Sequence, residues 1–186
     1  MTPEEIKAKL KTNLKESRYA HSLSVADTAK RLAGIYGIDP NKAYVAGLVH
    51  DCAKCYTNEE LAEKIKSYNI NLDEVSLLSP QLWHSFVGAF EAKKEYGIDD
   101  EEIFDAIYYH TIGKEAMEPL TAIIYLADAI EPLRDYPGVD EIRKAAEKSL
   151  EKAIYLYTKG TIEFVAAKGD SLHPNALKVR EYYLCF

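Results

Sequence analysis

No apolar stretch in the chain approaches the roughly 20 residues needed to cross a bilayer, and the opening segment from Met1 to Leu10 has no hydrophobic signal core. The expectation is a cytoplasmic protein with no membrane partner. Cysteine is scarce, and its 3 copies, Cys52, Cys55 and Cys185, cannot all pair within one chain. They read as reduced thiols. Cys52-x-x-Cys55 resembles half a zinc knuckle or a redox motif, but no second such pair accompanies it. Positive charge is also short, with 23 Lys and Arg against 30 Asp and Glu and a net charge of −7. That balance argues against long nucleic acid as a partner, because phosphate binding along a polymer needs a basic face. A small polyphosphate stays within reach, since metal ions and two or three local cations suffice to hold it.

What is present is helical. Nearly every segment carries apolar residues at helical rather than strand spacing. Thr2-Pro3-Glu4-Glu5 opens a first helix with a capping threonine, an early proline and acids at the positive end of the dipole. A second runs from about Ser17 to Tyr36 and stops near Gly37, and Asp39-Pro40 caps a third through Val49. Further helices are expected after Thr57, in a short piece after Asn71, from about Leu82 to Tyr96, from the lead Asp99-Asp100-Glu101-Glu102 through His110, and from about Pro119 to Ile130. After the turn Tyr136-Pro137-Gly138 one long helix is expected from about Asp140 to Lys168, and a last one follows Pro174. Without repeats, low-complexity stretches or long linkers, residues 1–186 read as a single all-α domain, a helical bundle whose last helices, 140–186, belong to it.

The 5 histidines are His21, His50, His84, His110 and His173. The first four lie in or beside apolar helical stripes, where a merely solvated imidazole would be out of place. Asp51 and Asp128 share such surroundings; Asp128 follows Ile124 by one turn inside Ile123-Ile124-Tyr125-Leu126-Ala127. A buried carboxylate beside imidazoles invites a cation between them, and this donor set suits iron, manganese, cobalt or zinc. Neighbours on a helix diverge by about 100°, so His50 and Asp51 converge on one ion only if it lies between their directions. The second carboxylate oxygen is then left for a second ion. Ala46 and Gly47, one turn earlier, are small enough to leave room for the cluster.

In order, His21, His50-Asp51 and Asp128 resemble the H…HD…D signature of HD-domain phosphohydrolases. Arg18-Tyr19-Ala20-His21-Ser22, His50-Asp51-Cys52-Ala53-Lys54, His84-Ser85-Phe86-Val87-Gly88-Ala89, His110-Thr111-Ile112-Gly113 and Tyr125-Leu126-Ala127-Asp128-Ala129-Ile130-Glu131-Pro132 are more specifically similar to the YqeK family. These segments span about 18–139, and His173-Pro174 also fits the pattern. The resemblance implies two divalent metal ions, iron by preference, and symmetrical hydrolysis of diadenosine tetraphosphate to two ADP. It further implies that His21, His50, Asp51 and Asp128 hold one ion, and His84 and His110 the second, with Asp51 bridging.

Two such ions, about 3.5–4 Å apart, hold a water between them and acidify it into an attacking hydroxide. Asp51 and Asp128, as ligands, and Lys54 are the candidate catalytic residues. Lys54, one turn after His50, and Arg18, one turn before His21, are candidate phosphate binders, joined by Thr111, Arg134 and His173 as candidate substrate contacts. Two enzyme alternatives keep the metal site, a nucleotidase and a guanosine alarmone hydrolase. A third reading is a helical module that senses nucleotide without turnover. Whether the apolar end from Tyr182 to Phe186 packs on its own domain or forms a homodimer contact is left open, as is the choice among the 14 tyrosines for stacking on a base.

Overall fold

A computed structural model describes residues 1–169 and 172–185. Among them there is no strand, and the elements follow the order α1 (Pro3–Asn13), α2 (Glu16–Tyr36), α3 (Pro40–Val49), a 3₁₀ turn η1 (Cys52–Cys55), α4 (Asn58–Ser67), α5 (Glu74–Leu77), a second 3₁₀ turn η2 (Pro80–Leu82), α6 (Trp83–Tyr96), α7 (Glu101–Tyr109), α8 (Pro119–Ile130), α9 (Val139–Ala146), α10 (Leu150–Lys168) and α11 (Pro174–Tyr183). No described helix is long and apolar enough to cross a membrane.

The starts are written locally. Thr2 and Thr57 each accept a hydrogen bond from a backbone N–H at the third helical position, and Glu5 and Glu60 each accept one from the backbone N–H of the cap residue. Asp39, Asp73 and Asp100 cap α3, α5 and α7 by the same physics. Gly37 and Gly97 end α2 and α6 in left-handed geometry, at φ 69° and 65°.

Helix α8 is apolar around its whole circumference, so it must be buried on every side. It packs against α2, α3, α7, α9 and α10, and of its residues from Leu120 to Ile130 only Asp128 is not fully buried. The one charged side chain of the central helix is thus the one that reaches a cleft. The core around it begins at Ile6 and Leu10 and continues to Val179 and Tyr183. A smaller cluster of Ala53, Leu61, Ile65 and Val87 holds α4 and η1 on α6.

The backbones of α2 and α3 approach closely at Gly47. A Cβ built on Gly47 would lie 2.7 Å from Ala26 Cα and 3.0 Å from Ala26 N. The smallness of Gly47 therefore serves helix packing and leaves no void for ligands. The expected helix from Asp140 to Lys168 is in fact two, because Ser149 takes up extended backbone and caps α10 through Lys152 N–H. Tyr36 donates to Ala146 O at the end of α9, holding the break in place. His50 likewise sits at the C-terminal cap of α3, and Asp51 already has φ −109° before η1. The two residues therefore do not diverge as neighbours on one helix. At the C-terminus Tyr183 packs into the core while Leu184 and Cys185 are exposed; Phe186 lies outside the described residues.

Gly47→Ala should cost about 1–3 kcal/mol, the range for overpacking a filled interior. Urea unfolding checks this, and an unchanged midpoint would mean that α2 and α3 do not need this approach.

Candidate metal centre

Four helical elements aim imidazoles at one point. His21 comes from the first turns of α2, His50 from the end of α3, His84 from the first turn of α6 and His110 from the end of α7. All four are buried. Their rings form a chain, with centroids 5.3 Å apart for His21 and His50, 5.1 Å for His50 and His110, and 5.2 Å for His84 and His110.

Backbone and carboxylate acceptors fix which nitrogen faces inward. His50 Nδ1 donates to Gly47 O at 2.7 Å, and His110 Nδ1 donates to Ile107 O at 2.7 Å. His21 Nδ1 donates to Glu131 Oε1 at 3.0 Å. With Nδ1 carrying the proton, Nε2 of each ring presents a lone pair to the centre. Burial pushes the His50 and His84 imidazoles down to about 4, against the pull of nearby Asp51. Both rings are neutral near pH 7, the form that ligates a metal.

Asp51 lies between two pairs of these rings and is 2% exposed. Its Oδ1 is 3.2 Å from His84 Nε2 and 3.6 Å from His110 Nε2. Its Oδ2 is 3.5 Å from His50 Nε2 and 3.8 Å from His21 Nε2, and accepts from Arg18 Nη1 at 2.7 Å. Burial opposes ionisation of Asp51, yet His50, His110 and His84 outweigh it and hold the carboxyl well below the usual range. Asp128 Oδ1 is 3.0 Å from His21 Nε2 and 3.9 Å from His50 Nε2. Its carboxyl is lowered too: burial opposes ionisation, but His21 and then His50 prevail.

This arrangement fits divalent metal ions. His21 Nε2 and His50 Nε2 are buried without a hydrogen-bond partner. Each faces a carboxylate oxygen, so lone pairs meet with no proton between them. An unpaired buried polar atom costs about 1–3 kcal/mol, and a cation at the centre removes that cost for both. The sets His21, His50, Asp51; His50, His110, Asp128; and Asp51, His84, His110 each bring their donor atoms within 4.8 Å of one another.

The expected substrate contacts divide into two groups. Arg18 and Arg134 flank the cluster. Arg134 donates through Nη2 to Asp128 Oδ1 at 2.5 Å and through Nε to Asp128 O at 2.8 Å. Lys54 projects from η1 within the field of Asp51, Asp128 and both arginines; desolvation lowers its ammonium pKa. Thr111 is instead bonded to Ser85 at 2.9 Å, and Ser85 donates to Leu82 O. It ties together the helix ends that carry His84 and His110. His173 lies apart from the cluster. It caps α11 by accepting from Asn175 N–H and meets Asp73 Oδ2 at 3.2 Å and Ser76 Oγ at 3.1 Å. With Phe86, Tyr108, Tyr109, Asn71 and Asn175 it lines a cavity of about 510 Å³. The Cys52-x-x-Cys55 pair forms no candidate metal group: Cys52 is buried against Gly88 O and Cys55 is exposed.

Two residues that organise the centre carry no helical signal in the sequence. Glu131, 1% exposed, holds His21 Nδ1 and also accepts from Ser24 Oγ at 2.6 Å and Leu133 N–H at 2.7 Å. Its spacing three residues after Asp128, at the end of an apolar helix, is the only hint. Arg143 donates to Ile130 O, Glu131 O and Arg134 O at 2.8–2.9 Å, pinning the loop that presents Arg134.

A family model described as "HD domain" matches residues 18–133. The chain is 41% identical to the symmetrical bis(5'-nucleosyl)-tetraphosphatase of Bacillus subtilis, covering 94% of each chain. It is 39% identical to the protein of that name from Staphylococcus aureus, over 98% of this chain and 95% of the other. A crystal structure from Clostridium acetobutylicum, described as a predicted HD superfamily hydrolase involved in NAD metabolism, superposes with a TM-score of 0.95 at 45% identity, covering 100% of this chain and 98% of that one.

Glu131→Gln keeps the shape but removes the charge that orients His21. Loss of such a partner weakens metal binding by about 10- to 100-fold. Competition against a colorimetric chelator measures this, and an affinity equal to wild type would show that His21 needs no such support.

Proposed function

This chain belongs to the HD-domain family, and on that footing we propose that it hydrolyses diadenosine tetraphosphate symmetrically, to two ADP, at a two-metal centre built on Asp51. The observation that supports this most is the division of the Asp51 carboxylate, one oxygen toward His84 and His110 and the other toward His21 and His50. On this reading His21, His50, Asp51 and Asp128 hold one ion, and Asp51, His84 and His110 the other. Two divalent ions so held supply Lewis acidity, neutralising phosphate charge and making a water acidic enough to attack phosphorus. Iron is our reading of the ion in the cell, though manganese, cobalt and zinc suit the same donors.

The protein's own part is positioning and charge. Arg18, Lys54 and Arg134 form a cationic rim, and each guanidinium fork matches a pair of phosphate oxygens. In the present arrangement both arginines spend that capacity on Asp51 and Asp128. Divalent ions held there would take up those carboxylate oxygens, and the arginines would then be free for substrate. Asp51 and Asp128 hold the centre without moving a proton, since both carboxyls are lowered far below neutral pH. Thr111 gives its one hydroxyl proton to Ser85, whose own proton goes to Leu82 O, so its lone pairs serve a water beside the polyphosphate rather than a phosphate oxygen.

The cavity lined by Tyr108, Tyr109 and His173 supports a seat for one adenosine. Its flat aromatic walls suit a purine face, and the amides of Asn71 and Asn175 suit its edge. It adjoins the helix ends that carry His84 and His110. The last helix, α11, and its cap His173 complete this seat, which is why we treat residues 1–186 as one domain. Leu177 and Leu184, seven residues apart and exposed near the C-terminus, leave an apolar stripe for a second copy of the chain. With its free cysteines and small soluble substrate, the protein is read as acting in the cytoplasm.

Product analysis with diadenosine tetraphosphate and iron, manganese or cobalt is expected to give ADP as the sole adenine nucleotide. Equal amounts of ATP and AMP would refute symmetrical cleavage. Asp51→Ala should abolish turnover and metal uptake while circular dichroism keeps its helical signal; residual turnover would remove Asp51 from the role given it. Tyr109→Ala should raise KM roughly tenfold with kcat little changed, from the loss of one stacking contact. A wild-type KM would move the adenosine elsewhere.

A further inference from the structure

Helix α6 carries two buried polar side chains on one face. Glu91 follows His84 by seven residues, which brings it back to within about 20° of the same direction and about 10.5 Å further along. Between them lies Gly88. Turn η1 packs along this face of α6 from one end to the other. At its start Asp51 Oδ1 lies 3.2 Å from His84 Nε2. At its middle Cys52 Sγ donates to Gly88 O at 3.6 Å, and a Cβ on Gly88 would touch Ala53 Cβ at 3.8 Å. Just past its end Tyr56 donates to Glu91 Oε2 at 2.6 Å.

Glu91 is only 2% exposed, yet its carboxylate accepts three hydrogen bonds. Besides Tyr56 it accepts from Tyr68 at 2.5 Å and Lys64 Nζ at 2.9 Å, and the Lys64 ammonium also lies 4.2 Å from the Tyr56 ring centroid. A buried, paired carboxylate is a poor source of net stability, since apolar packing of the same volume does as well. What it supplies that apolar contact does not is a fixed position for the group it binds. Here that group is the side chain at the exit of η1.

We infer that Glu91 is a positioning residue for the proposed metal centre: by holding Tyr56 it sets the register of η1 along α6, and so the distance between Asp51 and His84. The inference rests on the metal-centre reading above. Glu91 touches neither ion nor substrate; it acts through Tyr56 and η1. Lys54 lies on the same short turn, so its reach into the site depends on the same register.

The test titrates Mn²⁺ into the full-length protein by calorimetry, beside urea unfolding and kinetics on diadenosine tetraphosphate. Tyr56→Phe and Glu91→Gln are expected to weaken Mn²⁺ binding about tenfold, the low end of the range for groups that orient ligands, and to lower kcat with KM unchanged. Tyr68→Phe removes an equivalent bond from the same carboxylate, but from the end of α4 rather than from η1. It should cost stability and leave Mn²⁺ affinity and kcat near wild type. Wild-type Mn²⁺ affinity in Tyr56→Phe, or an equal loss in Tyr68→Phe, overturns the inference. Should Glu91→Gln fail to fold, the two tyrosine variants decide it. A wild-type protein that takes up no Mn²⁺ would instead overturn the metal-centre reading itself, which is a distinguishable result.

Discussion

The structure turns on one buried negative charge. Asp51 is buried in an interior where an uncompensated carboxylate costs several kcal/mol, and the Nε2 atoms of four imidazoles lie 3.2–3.8 Å from it, those of His21 and His50 without a hydrogen-bond partner. Arg18 brings positive charge to Asp51 from the rim, but the two unpaired imidazole nitrogens are met only by a cation at the centre itself. Three guards keep the imidazoles from relieving the conflict by rotating or changing tautomer: Gly47 O on His50, Ile107 O on His110 and Glu131 on His21. The surrounding bundle supplies the walls. The close approach of α2 to α3 at Gly47 brings His21 and His50 together, and central α8 delivers Asp128 to the same point.

Charge is arranged in layers around that point. The chain as a whole is acidic, at −7, but Arg18, Lys54 and Arg134 gather at the centre, and Arg143 fixes the loop that carries one of them. Local concentration of cations on an acidic protein favours a small polyphosphate over a nucleic-acid polymer, because only the former fits inside the short reach of that patch. The rim cations are bonded to the same carboxylates that face the imidazoles. On the proposed reading, substrate binding and metal binding are therefore linked through shared oxygens.

Much of this was legible in the chain. Capping residues marked the helix starts at Thr2, Asp39, Thr57 and Asp100, and histidines within apolar stripes marked the buried cluster, because those signals are local. The features that escaped depend on tertiary contact. Ser149 interrupts a stretch whose composition favours one helix, and Tyr36 holds the break from α2. Glu131, Arg143 and Glu91 resemble ordinary surface charges in sequence; their roles arise from partners 110, 9 to 13 and 23 to 35 residues away. Gly47 looked like room for ligands and proved to be room for another backbone. Thr111, next to His110, proved to be bonded to Ser85.

The central claim is that one carboxylate serves two ions through separate oxygens. Anomalous diffraction from manganese-loaded crystals tests it directly. Two peaks are expected, one beside Asp51 Oδ2 with His21, His50 and Asp128, and one beside Asp51 Oδ1 with His84 and His110. A single peak, or a second peak that leaves Asp51 out of its coordination shell, would contradict the account.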